Sequence, residues 1–158
     1  MARKPGWMGR FYEDFDVDDV YHHPLGRTIL AEDNTWLSLL TMNSNPLHFD
    51  YHYSGKTEFG KPLVDSCLTL AIMTGQSVTD LTQNAFANLG WDDVVIPNPL
   101  FEGDTIYSKS EVLEKSESAS RPDLGVVKVK TTGFNQNGAV VMEFKRTFMV
   151  FKRTSRNS

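Results

Sequence analysis

The sequence predicts an α+β fold in which an antiparallel sheet packs against one long apolar helix. Apolar residues recur at every third or fourth position from Val64, which indicates a helix over residues 64–81. Strand-like segments follow this helix, and Asn137-Gly138 between the last two predicts a tight hairpin turn. Because helix and strands occur in separate blocks instead of alternating, the order is typical of an α+β layer structure.

The composition is that of a single soluble domain over residues 1–158. Of the 158 residues, 40% are hydrophobic and 23% are charged, ordinary values for a globular chain with a real core. Residues 1–10 are expected to form a loose lead-in, and residues 152–158 a basic tail. The formal net charge of -4 argues against general nucleic-acid binding, which requires a basic surface.

The sequence carries no targeting or metal signal. No apolar stretch follows the first residues, and polar residues interrupt the longest apolar run, so neither a signal peptide nor a membrane span is expected. Cys67 is the only cysteine and permits neither an internal disulfide nor a cysteine-based metal site. The adjacent His22 and His23 precede a proline without a spacing that converges them on a metal. The expectation is a cytoplasmic protein without a metal.

The first half of the chain predicts two helices with a polar stretch between them. A short polar cap at Glu32-Asp33-Asn34 begins the first helix, which ends near Asn43 because Pro46 disfavours helix before it. An irregular excursion is expected over residues 50–61, and residues 27–30 form a candidate short strand.

The second helix, over residues 64–81, is apolar on nearly every face and is therefore expected to be buried. Pro62 is placed for its first turn, and Gly75 in its middle indicates close packing there. Residues 84–90 are expected to leave the helix as a loop. The predicted strands cover residues 94–96, 105–113, 126–134 and 139–151, and the last is expected to be central.

Residues 40–50 concentrate polar chemistry directly before the most hydrophobic helix. Within this stretch lie the imidazole of His48, the carboxamides of Asn43 and Asn45, and the carboxylate of Asp50. Imidazole titrates near neutral pH, so His48 is suited to general acid–base chemistry. The stretch is the candidate site, although turn formation remains open for the two asparagines and a structural hydrogen bond for His48.

Thr41-Met-Asn-Ser-Asn-Pro-Leu-His48 resembles the S-G-D-x-N-P-x-H motif of MaoC-type enoyl-CoA hydratases. Further similarity lies in residues 26–29, 59–64 and 101–105, so the resemblance covers most of the chain. It implies a hotdog fold, in which the sheet wraps one central helix and closes across a homodimer. It also implies hydration or dehydration of an enoyl-CoA thioester, with coenzyme A as part of the substrate and no separate cofactor.

The resemblance assigns roles to particular residues. His48 takes the position of the catalytic histidine, and Asn45 that of the asparagine that holds the catalytic pair. Asn43 takes the position of the family's aspartate, and because an amide is no general base we expect it to orient water. Asp65-Ser66 replaces the His-Gly step whose backbone N–H polarises the thioester carbonyl, which makes both residues candidate substrate-binding groups.

Two interpretations of Asp65 follow from its place at the helix start. It is either a second titrating group of the site or a carboxylate that caps the helix and interacts with its dipole. The cap is the preferred interpretation.

Residues 84–91 and 120–122 resemble a MaoC branch that acts on short, branched dicarboxylic acyl-CoAs such as mesaconyl-CoA. Arg121 is accordingly a candidate partner for a second substrate carboxylate, with a solvated loop arginine as the alternative. Coenzyme A carries phosphates, and the basic candidates to bind them are Lys145, Arg146, Lys152 and Arg153. An ordinary charged strand face and tail is the alternative for these four.

Two other functions remain open at this point. A hotdog thioesterase would need a carboxylate aimed at water, which Asp50 or Asp65 would have to supply. Position 43 holds asparagine where the family motif has aspartate, which suggests a non-catalytic acyl-CoA-binding subunit.

Overall fold

Six strands form one antiparallel sheet in the computed structural model, which describes residues 3–4 and 6–156. Their bounds are β1 Val20–His22, β2 Arg27–Thr28, β3 Ala85–Val95, β4 Thr105–Glu117, β5 Leu124–Phe134 and β6 Val140–Phe151. The order across the sheet is β1–β4–β5–β6–β3, with the short β2 also paired to β4. Strand β6, the last in the chain, therefore lies between β5 and β3, which confirms the prediction that it is central.

The α-helices are α1 Ala31–Leu40, α2 Tyr51–Ser54 and α3 Ser66–Gln76. Short 3-10 helices cover Tyr12–Asp14, Pro46–His48 and Arg153–Arg156, and a π-helical turn covers Val78–Thr82. None of the helices in the described ranges is long and apolar enough to cross a membrane.

The central helix α3 is shorter than the predicted span of 64–81. Asp65 caps it, so Pro62 lies before the helix and not in its first turn, and the π-helical turn Val78–Thr82 follows it. Its inward face buries Leu68, Thr69 and Met73, whereas Cys67, Ala71 and Gly75 are exposed. The prediction of burial on nearly every face is therefore wrong for the single chain.

The inner face of the sheet packs against this helix. Buried residues alternate along β5 and β6, and they form two apolar clusters. One cluster packs around Met73 and contains Phe144, and the other contains Phe15 and Phe148. This helix-on-sheet packing confirms the predicted α+β class and agrees with the expected hotdog arrangement.

Strand β3 corrects the sequence interpretation of residues 84–96. A loop was expected from 84 to 90 and a short strand from 94 to 96, but one strand covers Ala85–Val95. Three register shifts interrupt its pairing with β6, so its side chains do not alternate regularly between the two faces. This irregular alternation removed the two-residue period by which strands are recognised.

Other elements follow the predictions closely. The helix expected to end near Asn43 is α1, and Asn137-Gly138 forms the expected hairpin turn with Gly138 at φ +82°. The excursion predicted over 50–61 contains the one-turn helix α2. An added methyl group at Gly75 would meet no described atom within 4 Å, so the close packing expected there is not found among the described residues.

The expected lead-in and tail fall partly on residues 1, 2, 5, 157 and 158, which lie outside the described residues. Trp7 Nε1 donates to the Thr79 carbonyl at 3.1 Å, and Arg10 Nη1 donates to the Asp80 carbonyl at 3.0 Å. These bonds attach the described end of the lead-in to the segment that follows α3.

Candidate active site

A Schellman motif at the end of α1 places Asn43. The Asn43 N–H donates to the Ser38 carbonyl at 2.8 Å, and the Met42 N–H donates to the Leu39 carbonyl at 3.2 Å. This motif needs a left-handed residue after the cap, and Met42 supplies it at φ +60°. The chain therefore leaves the helix in a direction that the helix end itself fixes.

Asn43 is bonded to the start of the central helix. Its Nδ2 donates to Asp65 Oδ2 at 2.7 Å, while its Oδ1 accepts from the Asn45 N–H at 3.2 Å. Asp65 is only 3% exposed, and its Oδ1 accepts from the Cys67 N–H at 2.7 Å. The preferred interpretation of Asp65 as a helix cap is confirmed, and the same carboxylate also holds Asn43.

Asn45 turns the chain toward the histidine. Its Oδ1 accepts from the Leu47 N–H at 3.1 Å and so caps the 3-10 turn Pro46–His48. The proline after it fits this turn because its fixed φ suits the first position and its missing N–H is not needed there. The motif asparagine and proline thus act locally, by orienting the backbone that carries His48.

The ring of half-buried His48 is held by one backbone carbonyl. Its Nδ1 lies 2.8 Å from the Leu63 carbonyl oxygen. A carbonyl only accepts, so Nδ1 carries the proton and the neutral ring has its lone pair on Nε2. Within the described part of the chain, Nε2 has no hydrogen-bond partner. The ring is therefore oriented as a base with its acceptor nitrogen available.

Asn34 is the site residue that sequence reasoning missed. Its Nδ2 donates to the carbonyls of His48 at 2.7 Å and Leu63 at 3.0 Å, and its Oδ1 accepts from the Asp65 N–H at 2.8 Å. The polar run at residues 32–34 suggested a helix start, but Asn34 lies inside α1 and is 4% exposed. Only its place on the inward face of α1 could have revealed it.

Ser66 opens the central helix at this site and is exposed. Its backbone N–H makes no hydrogen bond to any residue in the ranges that the structure describes. The first N–H groups of a helix lack internal partners and carry a partial positive charge. The site therefore offers one base, the lone pair on His48 Nε2, and one N–H donor, that of Ser66. The donor is suited to stabilise a negatively charged oxygen.

An open groove of about 280 Å³ lies beside Asn43. Leu39 and Met42 supply its apolar walls, and Ser38 and Ser44 complete its lining. Apolar surface therefore adjoins the polar cluster on the side of α1.

The structure does not bring Arg121 to this cluster. Arg121 lies where β4 passes into β5, whereas Phe101, the bridge partner of Leu63, lies near the other end of β4. Strand β5 has 11 residues, so its two ends are roughly 35 Å apart. Arg121 instead bonds both oxygens of Asp123 at 2.9 and 2.7 Å and lies over the ring of Phe86.

The four basic candidates for phosphate binding do not form one patch. Arg146 is 1% exposed and donates to Ser77 Oγ at 3.1 Å inside the molecule, so its expected role toward a solvent-borne phosphate is wrong for this chain. Burial lowers the pKa of its guanidinium to about 10. The other three form ion pairs at the surface, Lys145 with Asp93, Lys152 with Glu117 and Arg153 with Asp14.

The two adjacent histidines separate in the structure. His22 is exposed, whereas His23 is buried and lies 2.9 Å from both Asp80 Oδ2 and Ser110 Oγ. Burial lowers the pKa of His23 despite the opposing effect of Asp80, so at neutral pH this contact is a hydrogen bond to a neutral ring. No group of three or more metal-ligating side chains occurs in residues 3–4 and 6–156.

Comparison with known proteins first confirms the hotdog fold. A putative MaoC domain protein dehydratase from Chloroflexus aurantiacus superposes with a TM-score of 0.89 at 30% identity, over 96% of this chain and 43% of that one. A double-hotdog protein from Mycobacterium tuberculosis superposes with a TM-score of 0.82 at 23% identity, over 91% of this chain and 44% of that one. The second likeness concerns the fold alone.

The family follows from sequence. The family model described as mesaconyl-CoA hydratase matches residues 5–158, so the chain belongs to this family. It is 30% identical over 145 residues to the mesaconyl-CoA hydratase of Cereibacter sphaeroides, covering 92% of this chain and 42% of the relative. The chain thus spans about two fifths of the length of this curated relative.

Proposed function

We propose that this chain is a hydro-lyase that adds water to, or removes it from, the double bond of an enoyl-CoA thioester. The observation that carries the proposal is the His48 ring beside the N-terminus of α3. The Leu63 carbonyl orients it, and its Nε2 has no partner among residues 3–4 and 6–156. The names of the relatives support this class, since one is a hydratase and another a dehydratase. A dicarboxylic substrate such as mesaconyl-CoA is the preferred acyl group.

In the hydration direction, His48 Nε2 accepts a proton from water while the water oxygen bonds to the β-carbon of the enoyl group. The electron pair of the double bond moves toward the thioester, whose oxygen gains negative charge. The Ser66 N–H at the helix start stabilises this enolate. The proton then returns from the imidazolium to the α-carbon, so all atoms are conserved and the base is regenerated.

Asn43 and Asn45 support this chemistry without moving protons. Asn43 Oδ1 keeps one lone pair beyond its bond to the Asn45 N–H, which suits it to hold the attacking water. Asp65 fixes the Asn43 carboxamide so that this oxygen has one orientation. The apolar groove beside Asn43 is a suitable place for the uncharged part of the substrate.

The assay uses crotonyl-CoA and mesaconyl-CoA as separate substrates. Loss of the enoyl absorbance supports a hydratase, whereas release of free thiol would show a thioesterase. Binding without turnover would show a non-catalytic subunit. We expect His48→Ala to remain folded and to lower hydration by two or more orders of magnitude. His52→Ala is the matched control because His52 is exposed on α2 and bonds Lys56 instead.

We also propose that the sheet continues across a second copy of the chain at β3. Among the residues that the structure describes, this strand pairs with β6 alone, so its outer edge is unpaired there. Apolar side chains on it are 40% to 56% exposed, unusual for an isolated edge: Phe86, Leu89, Trp91, Val94 and Val95. The greater length of the relatives and the double hotdog among the similar structures support pairing of two such units.

Sedimentation velocity at micromolar concentration tests this dimer. Leu89→Lys on β3 is expected to yield monomers, because it places a charge in the apolar interface. Val20→Lys on β1, at the opposite edge of the sheet and similarly exposed, is the control and should leave the dimer intact. A stable monomer for the unaltered chain would defeat the proposal.

A further inference from the structure

The carboxamide of Asn34 connects three segments that meet at the candidate site. It lies on α1 and bonds the carbonyl that ends the 3-10 turn at His48, the carbonyl of Leu63 and the N–H of Asp65. The distances of 2.7, 3.0 and 2.8 Å are those of well-formed hydrogen bonds. Because Asn34 is only 4% exposed, all three hydrogen bonds lie inside the protein, and water does not replace them readily.

The Leu63 carbonyl is the point where Asn34 acts on the base. This oxygen accepts from both His48 Nδ1 at 2.8 Å and Asn34 Nδ2 at 3.0 Å. The proton position on the imidazole depends on that carbonyl, because an acceptor at Nδ1 keeps the proton there and leaves Nε2 free. A group that fixes the position of the Leu63 carbonyl therefore also fixes the tautomer and the orientation of the His48 ring.

The second half of the site depends on the same side chain. Asn34 Oδ1 accepts from the Asp65 N–H, and the Asp65 carboxylate holds Asn43. A continuous path of hydrogen bonds thus runs from His48 through Leu63 and Asn34 to Asp65 and Asn43. Only a carboxamide provides two N–H donors and one acceptor at this size, since a carboxylate lacks the donors.

We infer that Asn34 is a positioning residue for the reaction: it fixes His48 in the Nδ1–H tautomer and aligns the base with the Asn43–Asp65 pair. This rests on the proposed hydration for its kinetic consequence only. The tautomer of His48 is a property of the folded chain and is measurable without substrate.

The experiment compares Asn34→Asp and Asn34→Ser with Ser54→Ala. Ser54 lies on α2 outside the groove beside Asn43, is fully buried, and its hydroxyl has no hydrogen-bond partner within the described chain, so its loss should leave the site unchanged. ¹⁵N NMR of the His48 ring reports the tautomer. We expect Nδ1–H in the unaltered protein and in Ser54→Ala, and a mixture of tautomers in the Asn34 variants.

Kinetics supply the second measurement. The Asn34 variants should lose roughly 10- to 100-fold in kcat with little change in KM, because the base is misaligned while the binding surface remains. The pH profile of kcat should change in the same variants, because the base is no longer held in one tautomer. A purely structural role would instead lower the folded fraction and leave the pH profile of the remaining activity unchanged.

A measurement on the unaltered protein covers the case in which no Asn34 variant folds. The NMR signals of the two side-chain amide protons of Asn34 should shift when acid protonates His48. Asn34 Nδ2 and His48 Nδ1 both donate to the Leu63 carbonyl, so a change at one affects the other. Absence of that shift, or Asn34 variants that keep the Nδ1–H tautomer and full kcat, would overturn the inference. If the NMR result is as expected but the unaltered protein hydrates neither substrate, the proposed function is refuted. The role of Asn34 in positioning His48 would still stand.

Discussion

Met73 of the central helix lies directly on Gly133 of β5. A methyl group added at Gly133 would come within 2.4 Å of Met73 Sδ and 2.6 Å of its Cε. Met73 is fully buried among the apolar residues that contain Phe144, so its side chain has little room to move. The absent side chain at Gly133 is what allows α3 to approach the sheet closely.

Gly133→Ala is therefore expected to destabilise the fold by roughly 1–3 kcal/mol through overpacking. Gly75→Ala is the matched control on the helix, where an added methyl group meets nothing and removal of a helical glycine should stabilise by about 1 kcal/mol. Urea unfolding at one fixed protein concentration measures both, because the stability of the proposed dimer would depend on concentration. Equal effects of the two substitutions would contradict the packing described for Met73.

Met42 allows a separate test of the turn that places Asn43. Its φ of +60° is costly for a residue with a side chain, and its side chain is 89% exposed, so little packing is lost on its removal. We expect Met42→Gly to raise stability by roughly 0.5–1 kcal/mol. Thr41→Gly, one residue earlier at φ -92°, should lower it instead. A loss of stability in Met42→Gly would show that its side chain packs against a partner.

The pair formed by Asn43 and Asp65 predicts a specific pattern of coupling. Asn43→Asp alone would place two carboxylates 2.7 Å apart, which forces one of them to keep a proton and destabilises the site. Asp65→Asn keeps a good helix cap and should cost little stability. The double substitution restores an amide–carboxylate contact with the charge moved to position 43, so it should recover most of the stability lost in Asn43→Asp.

Hydration rates of the same variants assign the chemistry. We expect the double variant to be active and Asp65→Asn to keep most of its turnover, since His48 moves the proton in the proposed mechanism. Asp50→Asn is the control because Asp50 caps α2, a role that asparagine fills equally well. If Asp65→Asn abolishes turnover while substrate binding is unchanged, the catalytic carboxylate lies at the helix start and our assignment of Asp65 is incomplete.

Much of the fold and part of the site could be predicted from sequence, for identifiable reasons. Local signals such as Asn137-Gly138 and the apolar period of the central helix depend on neighbouring residues alone. They correctly predicted the hairpin turn and the presence of the helix, but not the length of the helix or its exposed face. Strand β3 was missed because its bulges remove the two-residue period. Its pairing partner β6 lies about 60 residues later in the chain, and no local pattern reveals it.

The site residues also divide into those that a local motif predicts and those that only the folded chain brings together. The motif placed Asn43, Asn45 and His48 together because they are close in sequence. Asn34 escaped notice because its role exists only where three separate segments meet, and a polar residue in an early helical turn ordinarily indicates a cap. Arg146 was interpreted as a surface cation because of its charge, although it shares the two-residue period of Phe144 and Phe148 and therefore their inward face.

The buried His23 makes the stability of the fold depend on pH. Asp80 faces its Nδ1 and Ser110 its Nε2, while the nearby basic side chains of Arg146 and His22 oppose its protonation. Burial is the largest cause of its lowered pKa, so the folded state binds a proton less readily than the unfolded chain, in which a histidine titrates near 6.5. The contribution of the neutral ring is therefore fully present above that pH and is lost as the pH falls toward the lower folded value.

We expect the free energy of unfolding to decrease as the pH falls below about 6.5, and urea unfolding at a series of decreasing pH values to show it. His23→Gln removes the titrating group and should flatten the pH dependence, although the loss of the ring also lowers stability at neutral pH. His22→Gln is the matched control, since its side chain is exposed and the neighbouring backbone is the same. A His23→Gln variant whose stability falls with acid as steeply as that of His22→Gln would show that other groups govern the acid response.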